Sequence, residues 1–398
     1  MHKTFPMFKN ITLIGFLLLL NSFKSSKIIS DHNDPQIDSS KFATIKITPP
    51  KPLIEKDIYG YYLNFDIIIK NQTAHVLELN SVEVAVMDAT GKLVQRKFID
   101  HNGQSPGNDV LGNTIIKPGQ TISIFNPFHT FTPDVTIATL KYGFFFNYAD
   151  NQQQADRNKQ RLPMDFDASM IKVITPEVYI AKNEYYLPLK GKIIVWDGHD
   201  FYSDHRRTPN DTINSKTNVI PKNANRYAYD LMSIDASGSM YHGSPFKKQN
   251  WYVYGKPVYV PSDGKIIEIQ NKIPDNEFNG KVIQRPKLSP NADPKGLGNY
   301  IIIDHGNGEY SVMQNMEKGS ITARVGQMVK AGDQIGIAGF SGDAIYPRLQ
   351  YTVINNSKEM VAEGLPSYFN DYKLYRGTVI LPIKRSRIDS GDIVESDK

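Results

Sequence analysis

Three short stretches of the sequence contain side chains that could bind a cation or move a proton. They are the run His205-Arg206-Arg207, the segment RYAYD at residues 226–230, and the segment YPRLQY at residues 346–351. Imidazole and carboxylate groups are metal ligands and general bases, whereas a guanidinium stays protonated and has no lone pair for a metal. The carboxylate of Asp230 can therefore hold a cation or pair with a nearby arginine, and we expect the ion pair.

Composition excludes several classes of site. The chain of 398 residues has no cysteine, so it can form no disulfide framework, thiol nucleophile or cysteine-bound zinc ribbon. Its formal net charge is +5, and this falls to +2 without residues 1–26, which contain Lys3, Lys9 and Lys24 but no acid. A balance this small does not indicate a polyanionic partner, so we expect no nucleic-acid role.

The N-terminus has the pattern of an export signal. Lysines precede the uncharged apolar run ITLIGFLLLL at residues 11–20, and small residues follow it in NSFKSS. The run is about half the length needed to span a bilayer, so a cleaved signal peptide over residues 1–26 is favoured over an uncleaved anchor. We therefore expect an exported protein of the periplasm, cell envelope or extracellular space, with no stable membrane insertion after cleavage.

Residues 43–180 read as an immunoglobulin-like β-sandwich, after a polar linker at residues 27–42. Short segments rich in β-branched and aromatic residues alternate with turn signals such as KPGQ at 117–120. In SVEVAVMD, Val82, Val84 and Val86 alternate with Ser81, Glu83 and Ala85, which predicts one buried face. Nothing in this region forms a catalytic set.

A second β-rich region is predicted over residues 187–385. The pairs Asp263-Gly264 and Asn307-Gly308 tolerate the positive φ angles of tight turns, so each is predicted to join the two strands of a hairpin. Long helical periodicity is absent. The mixed-charge residues 386–398 are predicted to be a solvated polar tail.

The second region resembles a known family. The segments RYAYD, GNYIIIDHGNGEYSVMQNM, VGQMVKAGDQIGIAGFSGD and PRLQYTV follow one another in the order typical of the lysostaphin and LytM type of zinc metallopeptidase. These enzymes are peptidoglycan endopeptidases built on a duplicated hybrid motif, and the resemblance covers residues 187–369. It predicts an all-β protein in which an antiparallel LytM-type sheet domain follows the sandwich in the chain.

The resemblance also implies which positions would perform catalysis. The family holds zinc with a His and an Asp spaced four residues apart and with the last His of a His-x-His, while two further histidines assist proton transfer. The metal-ligand positions are occupied here by Arg226, Asp230 and Gln350, and the catalytic positions by Asn315 and Arg348. Of these five, only Asp230 keeps the side chain that the family mechanism requires.

We therefore expect neither a bound metal nor catalysis, with Asp230 paired to Arg226 or Arg348. An active zinc endopeptidase remains possible if another histidine replaces a ligand, and His205 is the first candidate, ahead of His199 and His242. Tyr227 and Tyr351 are candidates for the lining of a ligand groove, although aromatic residues at alternating sheet positions are more often part of the core.

The expected function is that of an exported, non-catalytic peptidase-like protein that binds peptidoglycan or a cell-wall hydrolase. Two alternatives stay open: the active zinc metallopeptidase with a rebuilt site, and a structural or adhesive surface protein whose sandwich does the binding.

Overall fold

The computed structural model describes residues 42–57, 59–100, 110–149, 166–198, 203–206, 222–289, 291–293, 296–358 and 361–396. The predicted signal peptide and nearly all of the predicted linker lie outside these residues. Residues Asp38–Lys398 belong to one compact unit. Among the described residues, no helix is long and apolar enough to cross a bilayer.

The N-terminal half of this unit consists of short strands. In chain order they are β1 (Ala43–Thr48), β2 (Leu53–Lys56), β3 (Tyr61–Leu63), β4 (Asp66–Asn71), β5 (Leu77–Met87), β6 (Leu93–Asp100), β7 (Ile115–Ile116), β8 (Thr121–Phe125), β9 (Thr130–Phe131), β10 (Thr139–Tyr148), β11 (Ala168–Ile174) and β12 (Glu177–Val178).

These strands form three sheets around one hydrophobic core. Their orders are β1-β4-β8, β11-β10-β5-β6 with β7 also on β5, and β12-β2-β3-β9. On β5, Val82, Val84 and Val86 are fully buried, but Ser81, Glu83 and Ala85 on the other face are buried too, so the prediction of a single buried face is wrong. The all-β fold is confirmed, while the assignment of this region to the immunoglobulin-like type stays a prediction.

The C-terminal half contains the remaining strands. They are β13 (Gly191–Asp197), β14 (Tyr229–Ser233), β15 (Pro257–Tyr259), β16 (Gly264–Gln270), β17 (Glu277–Asn279), β18 (Val282–Gln284), β19 (Asn299–Asp304), β20 (Tyr310–Met316), β21 (Met328–Val329), β22 (Gln334–Ile337), β23 (Leu349–Ile354), β24 (Gly364–Leu365), β25 (Phe369–Arg376), β26 (Val379–Ser386) and β27 (Ile393–Ser396).

One large antiparallel sheet organises this half, in the order β21-β16-β19-β20-β23-β14-β13-β27-β25-β26 with β24 on β23. Asn307 (φ 56°) and Gly308 (φ 79°) turn the chain between β19 and β20, so that predicted hairpin is confirmed. The hairpin predicted at Asp263-Gly264 is wrong, because β15 pairs with β22 and β16 with β19. A Cβ on Gly264 would lie 2.6 Å from the Asp304 carbonyl oxygen, so this glycine permits close packing.

The predicted solvated tail is also wrong over residues 386–396. Strand β27 lies between β13 and β25, and the side chains of Ile388 and Val394 are fully buried. Val394 pairs with Ile193 on β13 and with Leu374 on β25, so this mixed-charge segment is ordered by the two strands on either side of it.

The segment between the predicted domains is fixed by one carboxylate. Glu309, buried next to the Asn307-Gly308 turn, accepts hydrogen bonds from the Tyr179 hydroxyl (2.8 Å), the Asn183 side-chain amide (2.8 Å) and the Tyr185 hydroxyl (2.9 Å). These contacts lower the pKa of Glu309 despite its burial. The chain between the end of the predicted sandwich at residue 180 and the start of the predicted peptidase-like domain at residue 187 is therefore held by hydrogen bonds to Glu309.

Candidate functional site

Two neighbouring strands bring the predicted site residues together. Asp230 on β14 pairs directly with Gln350 on β23, so both side chains lie on the same face of the sheet. Strand β20 is the other neighbour of β23, and Asn315 is its penultimate residue. The sheet thus places three of the family positions side by side.

The short approach to β23 adds Arg348 to this group. The backbone of Gly339 lies between Asn315 and Arg348, donating to the Asn315 carbonyl (3.1 Å) and accepting from the Arg348 amide (3.3 Å). A Cβ at Gly339 would lie 2.3 Å from the amide nitrogen of Glu317, so only glycine permits this approach.

The guanidinium of Arg348 is the centre of the site. Its Nη1 donates to Asp230 Oδ2 (2.8 Å), its Nε to Asn315 Oδ1 (3.0 Å) and its Nη2 to Gln350 Oε1 (3.0 Å). The Arg348 side chain is buried, and Asp343, an exposed carboxylate, lies 3.6 Å from Nη2. One arginine therefore contacts all three other family positions that the sheet assembles, and the predicted pair of Asp230 with Arg348 is present.

His205 also reaches Asp230. It lies in a 3-10 helix, Asp204–Arg206, and its backbone carbonyl accepts a hydrogen bond from the Asn223 side chain (2.8 Å). His205 Nε2 is 3.1 Å from Asp230 Oδ1 and 3.6 Å from Asp197 Oδ2. The imidazole that the sequence proposed as a substitute ligand is thus placed between two carboxylates.

The electrostatics of the group follow from burial and pairing. Burial by itself lowers the pKa of His205, but Asp230 and Asp197 outweigh burial and raise it. Burial raises the pKa of Asp230, and the charges of Arg348 and His205 outweigh it and hold that pKa below its usual value. For Asp197, burial dominates and the pKa is raised. Both cations therefore stabilise the ionised form of Asp230.

Arg226 does not join this group. It lies in the turn before β14, and its guanidinium donates from Nη1 to Asp66 Oδ2 (2.8 Å) and from Nε to Glu363 Oε1. Asp66 belongs to β4 of the N-terminal half, and Arg226 is fully buried. Burial lowers the pKa of Arg226, but the two carboxylates outweigh burial and raise it. The predicted pairing of Asp230 with Arg226 is wrong, because other carboxylates bind this guanidinium.

The interpretation of Tyr227 and Tyr351 as groove residues is wrong as well. Their exposed fractions are 1% and 0%, and the Tyr351 ring packs against Tyr229 (6.5 Å between centroids) and Phe369 (5.5 Å). Both tyrosines belong to the core. Every residue of β14 and of β23 is buried, so alternation along these strands does not separate a groove face from a core face.

The other histidines have different roles. His305 contacts the Asp263 carbonyl oxygen through Nδ1 (2.8 Å) and Ser311 Oγ through Nε2 (2.7 Å), which fixes the turn between β19 and β20. His242 is exposed and packs near Tyr252, and His199 lies outside the described residues.

Asp197 is the site residue that the sequence analysis missed. It ends β13, where nothing in the segment GKIIVWD marks its carboxylate as different from other strand-terminal acids. Only the pairing of β13 with β14 brings it near Asp230.

The zinc ion that the resemblance implies does not fit this donor set. The one retained ligand, Asp230, is bound by the Arg348 guanidinium, and the Gln350 oxygen is engaged by the same group. A dication at this place would be repelled by the arginine charge. In the part of the chain that the structure describes, no three His, Cys, Asp or Glu side chains are arranged to hold a metal ion.

Comparison with known proteins supports the family resemblance. Residues 251–362 match the model of peptidase family M23, so the predicted family is confirmed for this segment. It includes β15–β23 and the positions of Asn315, Arg348 and Gln350, but not Asp230. A comparison with curated protein sequences found no match.

Several of the solved structures that match this chain are peptidases, and two of them serve as examples. The catalytic domain of lysostaphin from Staphylococcus simulans is 17% identical and aligns over 44% of this chain and 88% of its own, with a TM-score of 0.24. A zinc-containing peptidase from Vibrio cholerae is 14% identical over 76% of this chain and 80% of its own, with a TM-score of 0.25. These values are too low to say anything about activity.

Proposed function

We propose, from the premise that residues 251–362 are a peptidase family M23 domain, that this protein is a non-catalytic member of that family. In this proposal it is exported and binds peptidoglycan, or a cell-wall hydrolase, in the cell envelope. The single observation that supports the loss of catalysis is the guanidinium of Arg348, hydrogen-bonded to Asp230, Asn315 and Gln350 at once.

The chemistry of these side chains explains why catalysis would be absent. Peptide hydrolysis by the family needs a Lewis acid to polarise the carbonyl and a base to accept a proton from the attacking water. A guanidinium, the group at position 348, has no lone pair with which to accept that proton, and the side-chain amides at positions 315 and 350 are not bases near neutral pH. The group is instead a set of satisfied hydrogen bonds within the fold.

The binding role rests on what remains of the domain. The sheet that carries the family positions is complete, with β20 paired to β23, and Gly339 permits the close approach of Asn315 and Arg348. A retained scaffold without its catalytic groups is suited to binding the family's substrate, or an enzyme that acts on it.

Two assays on the chain lacking residues 1–26 test the proposal. In the first, the protein is sedimented with purified peptidoglycan sacculi, and co-sedimentation is expected. In the second, sacculi are incubated with the protein and added zinc, and release of soluble peptide fragments is measured. No release above the buffer control is expected, whereas zinc-dependent release would overturn the non-catalytic assignment.

The active zinc metallopeptidase is the second candidate, because His205 lies 3.1 Å from Asp230. It would need Arg348 to leave Asp230 so that a metal could enter. An Asp230→Ala variant distinguishes the two functions. It would abolish zinc-dependent hydrolysis if the second candidate were right, and it should leave peptidoglycan binding in place under the proposed function.

A further inference from the structure

The two tryptophans of the chain lie on either side of one tyrosine, next to Arg348. The ring of Tyr346 stacks on Trp251 (5.9 Å between centroids, 20° between planes) and meets Trp196 edge to face (6.1 Å, 81°). We call Trp196, Tyr346 and Trp251 the aromatic corner. Trp251 is buried, and its Nε1 donates to the Pro245 carbonyl (2.9 Å). Trp196 is 47% exposed, so this corner presents a large apolar ring to solvent.

Polar groups lie near the aromatic corner. Asp197 follows Trp196 in the chain and carries a partly exposed carboxylate, while the Asp343 side chain, 63% exposed, lies 3.6 Å from Arg348 Nη2. The guanidinium carbon of Arg348 lies 5.7 Å from the centroid of the Tyr346 ring. An apolar ring face bordered by hydrogen-bonding groups is the arrangement expected of a small-molecule site, in which a few polar groups fix orientation.

We infer that the aromatic corner binds neutral saccharide units through the exposed face of Trp196. A pyranose ring has one face of C–H groups that can cover an indole, and a rim of hydroxyl groups that can donate to Asp197 and Asp343. This inference rests on the proposed function and specifies it, because it assigns the glycan, rather than the stem peptide, as the recognised part of peptidoglycan.

The charges near the corner disfavour the two rival ligands. Asp197, Asp230 and Asp343 are balanced by the cations Arg348, His205 and Arg285, whose Nη2 donates to the Asp343 carbonyl oxygen (3.1 Å), so an acidic stem peptide would gain no net electrostatic attraction there. An ammonium group could pair with these carboxylates and with an aromatic face. However, Arg348 already supplies a cation over Tyr346, and a second positive charge would have to lie close to it. A neutral ligand requires neither a net positive nor a net negative charge at the aromatic corner.

Isothermal titration of the chain lacking residues 1–26 with oligomers of N-acetylglucosamine tests the inference. We expect binding, accompanied by a change in intrinsic fluorescence, because both tryptophans of the chain belong to the corner. Trp196→Ala should weaken binding at least about tenfold, which corresponds to about 1.4 kcal/mol, because tryptophan is enriched among the few residues that dominate binding energy. Trp196→Phe, which keeps a ring, should retain part of the affinity and shows that the site is still folded.

Phe98→Ala is the matched control. Phe98 is an exposed aromatic on β6 of the N-terminal half, with 65% of its surface accessible, so its removal should leave saccharide affinity unchanged. An equal loss in Phe98→Ala and Trp196→Ala would contradict a site at the corner.

The rival ligands are separate arms of the same experiment. Binding of a soluble stem peptide, or of glucosamine oligomers that carry free amines, with no response to the N-acetylated oligomers would overturn the inference. If sacculi still co-sediment with the Trp196→Ala variant while no glycan binds to the wild type, the saccharide site is wrong and the proposed function stands. If sacculi instead release fragments with zinc, the proposed function itself is wrong.

Discussion

Two arginines occupy family positions in this chain, and they do opposite things. Arg348 stays within the family site, where it contacts Asp230, Asn315 and Gln350. Arg226 turns away from that site and joins Asp66 of the N-terminal half to Glu363. The resemblance implies that Arg226 stands at a metal-ligand position of the family and Arg348 at a catalytic position. Their present roles depend on which carboxylates surround each one.

The comparison shows that an arginine at a family position need not leave a gap in the fold. Arg348 supplies the positive charge that keeps Asp230 ionised. Arg226 forms part of a buried ionic connection between the two halves, together with Arg387, whose guanidinium lies over the Tyr62 ring (3.5 Å) and near Glu55 (3.5 Å). A buried charge is costly without partners, so each arginine favours the arrangement in which its carboxylate partners stay within hydrogen-bonding distance.

The largest expected effect is a gain of zinc binding in the double variant Arg348→His/Gln350→His. Removing the guanidinium frees Asp230, and the new imidazole at position 350 would face it across the β14–β23 pair, with His205 as a third ligand. Three ligands should yield several kcal/mol of binding relative to the wild type. Titration with zinc measures the gain, and adding Asp230→Ala should abolish it. A double variant without zinc affinity would show that Arg348 is not what prevents metal binding.

Arg226→Met should have the next largest effect, on stability. It leaves two carboxylates in a buried place without their guanidinium, which typically costs about 3–5 kcal/mol. Chemical denaturation measures the free energy of unfolding. The control is Lys384→Ala, which removes an exposed pair with Asp371 and should cost less than about 1 kcal/mol. Equal losses in the two variants would contradict the role of Arg226 as a buried connection.

Arg348→Met should destabilise the protein by about 2–3 kcal/mol, the scale of lost hydrogen bonds to a charged group, because His205 still pairs with Asp230. Because the pKa of Asp230 is lowered in the folded protein, this difference in stability should depend on pH. The stability from its ionised form is present above the unfolded pKa of about 3.9 and is lost as pH falls through the folded value. Unfolding curves should therefore converge for wild type and variant in acid, and a constant difference down to low pH would contradict the pairing.

The smallest expected effect is the pH dependence contributed by His205. Its raised pKa means that its stabilising charge is fully present below the unfolded value of about 6.5 and is lost as pH rises through the folded value. In His205→Gln this loss of stability on the alkaline side should disappear. Melting temperatures measured from pH 6 upward test it, and identical profiles for the two proteins would show that His205 does not titrate with folding.

Much of the site could be predicted from the sequence. The order of the glycine-rich segments located Asn315, Arg348 and Gln350, and β20, β23 and β14 bring them beside Asp230. The sequence motifs were sufficient to locate these residues, because Asn315 and Gln350 lie on the paired strands β20 and β23 and Arg348 directly precedes β23. The proximity of His205 to Asp230 was predicted only as an alternative, and the structure places it there.

The rest depends on packing between distant parts of the chain. Arg226 and Asp66 are 160 residues apart, and no periodicity in either segment marks the other as its partner. The strand at residues 393–396 is short and polar enough to read as a tail, and it is ordered by β13 and β25 on either side. The aromatic corner likewise combines residues from β13, the turn before β23 and the loop after a 3-10 helix, Lys248–Asn250.

The zinc content of the wild-type protein tests the central claim most directly. The chain lacking residues 1–26 is incubated with excess zinc, freed of unbound metal by gel filtration and measured by elemental analysis beside the double variant. With Arg348 bound to Asp230, the wild type should retain far less than one zinc per chain. About one zinc per chain that is lost in Asp230→Ala would contradict the account, since a three-ligand site of the family type would then be present.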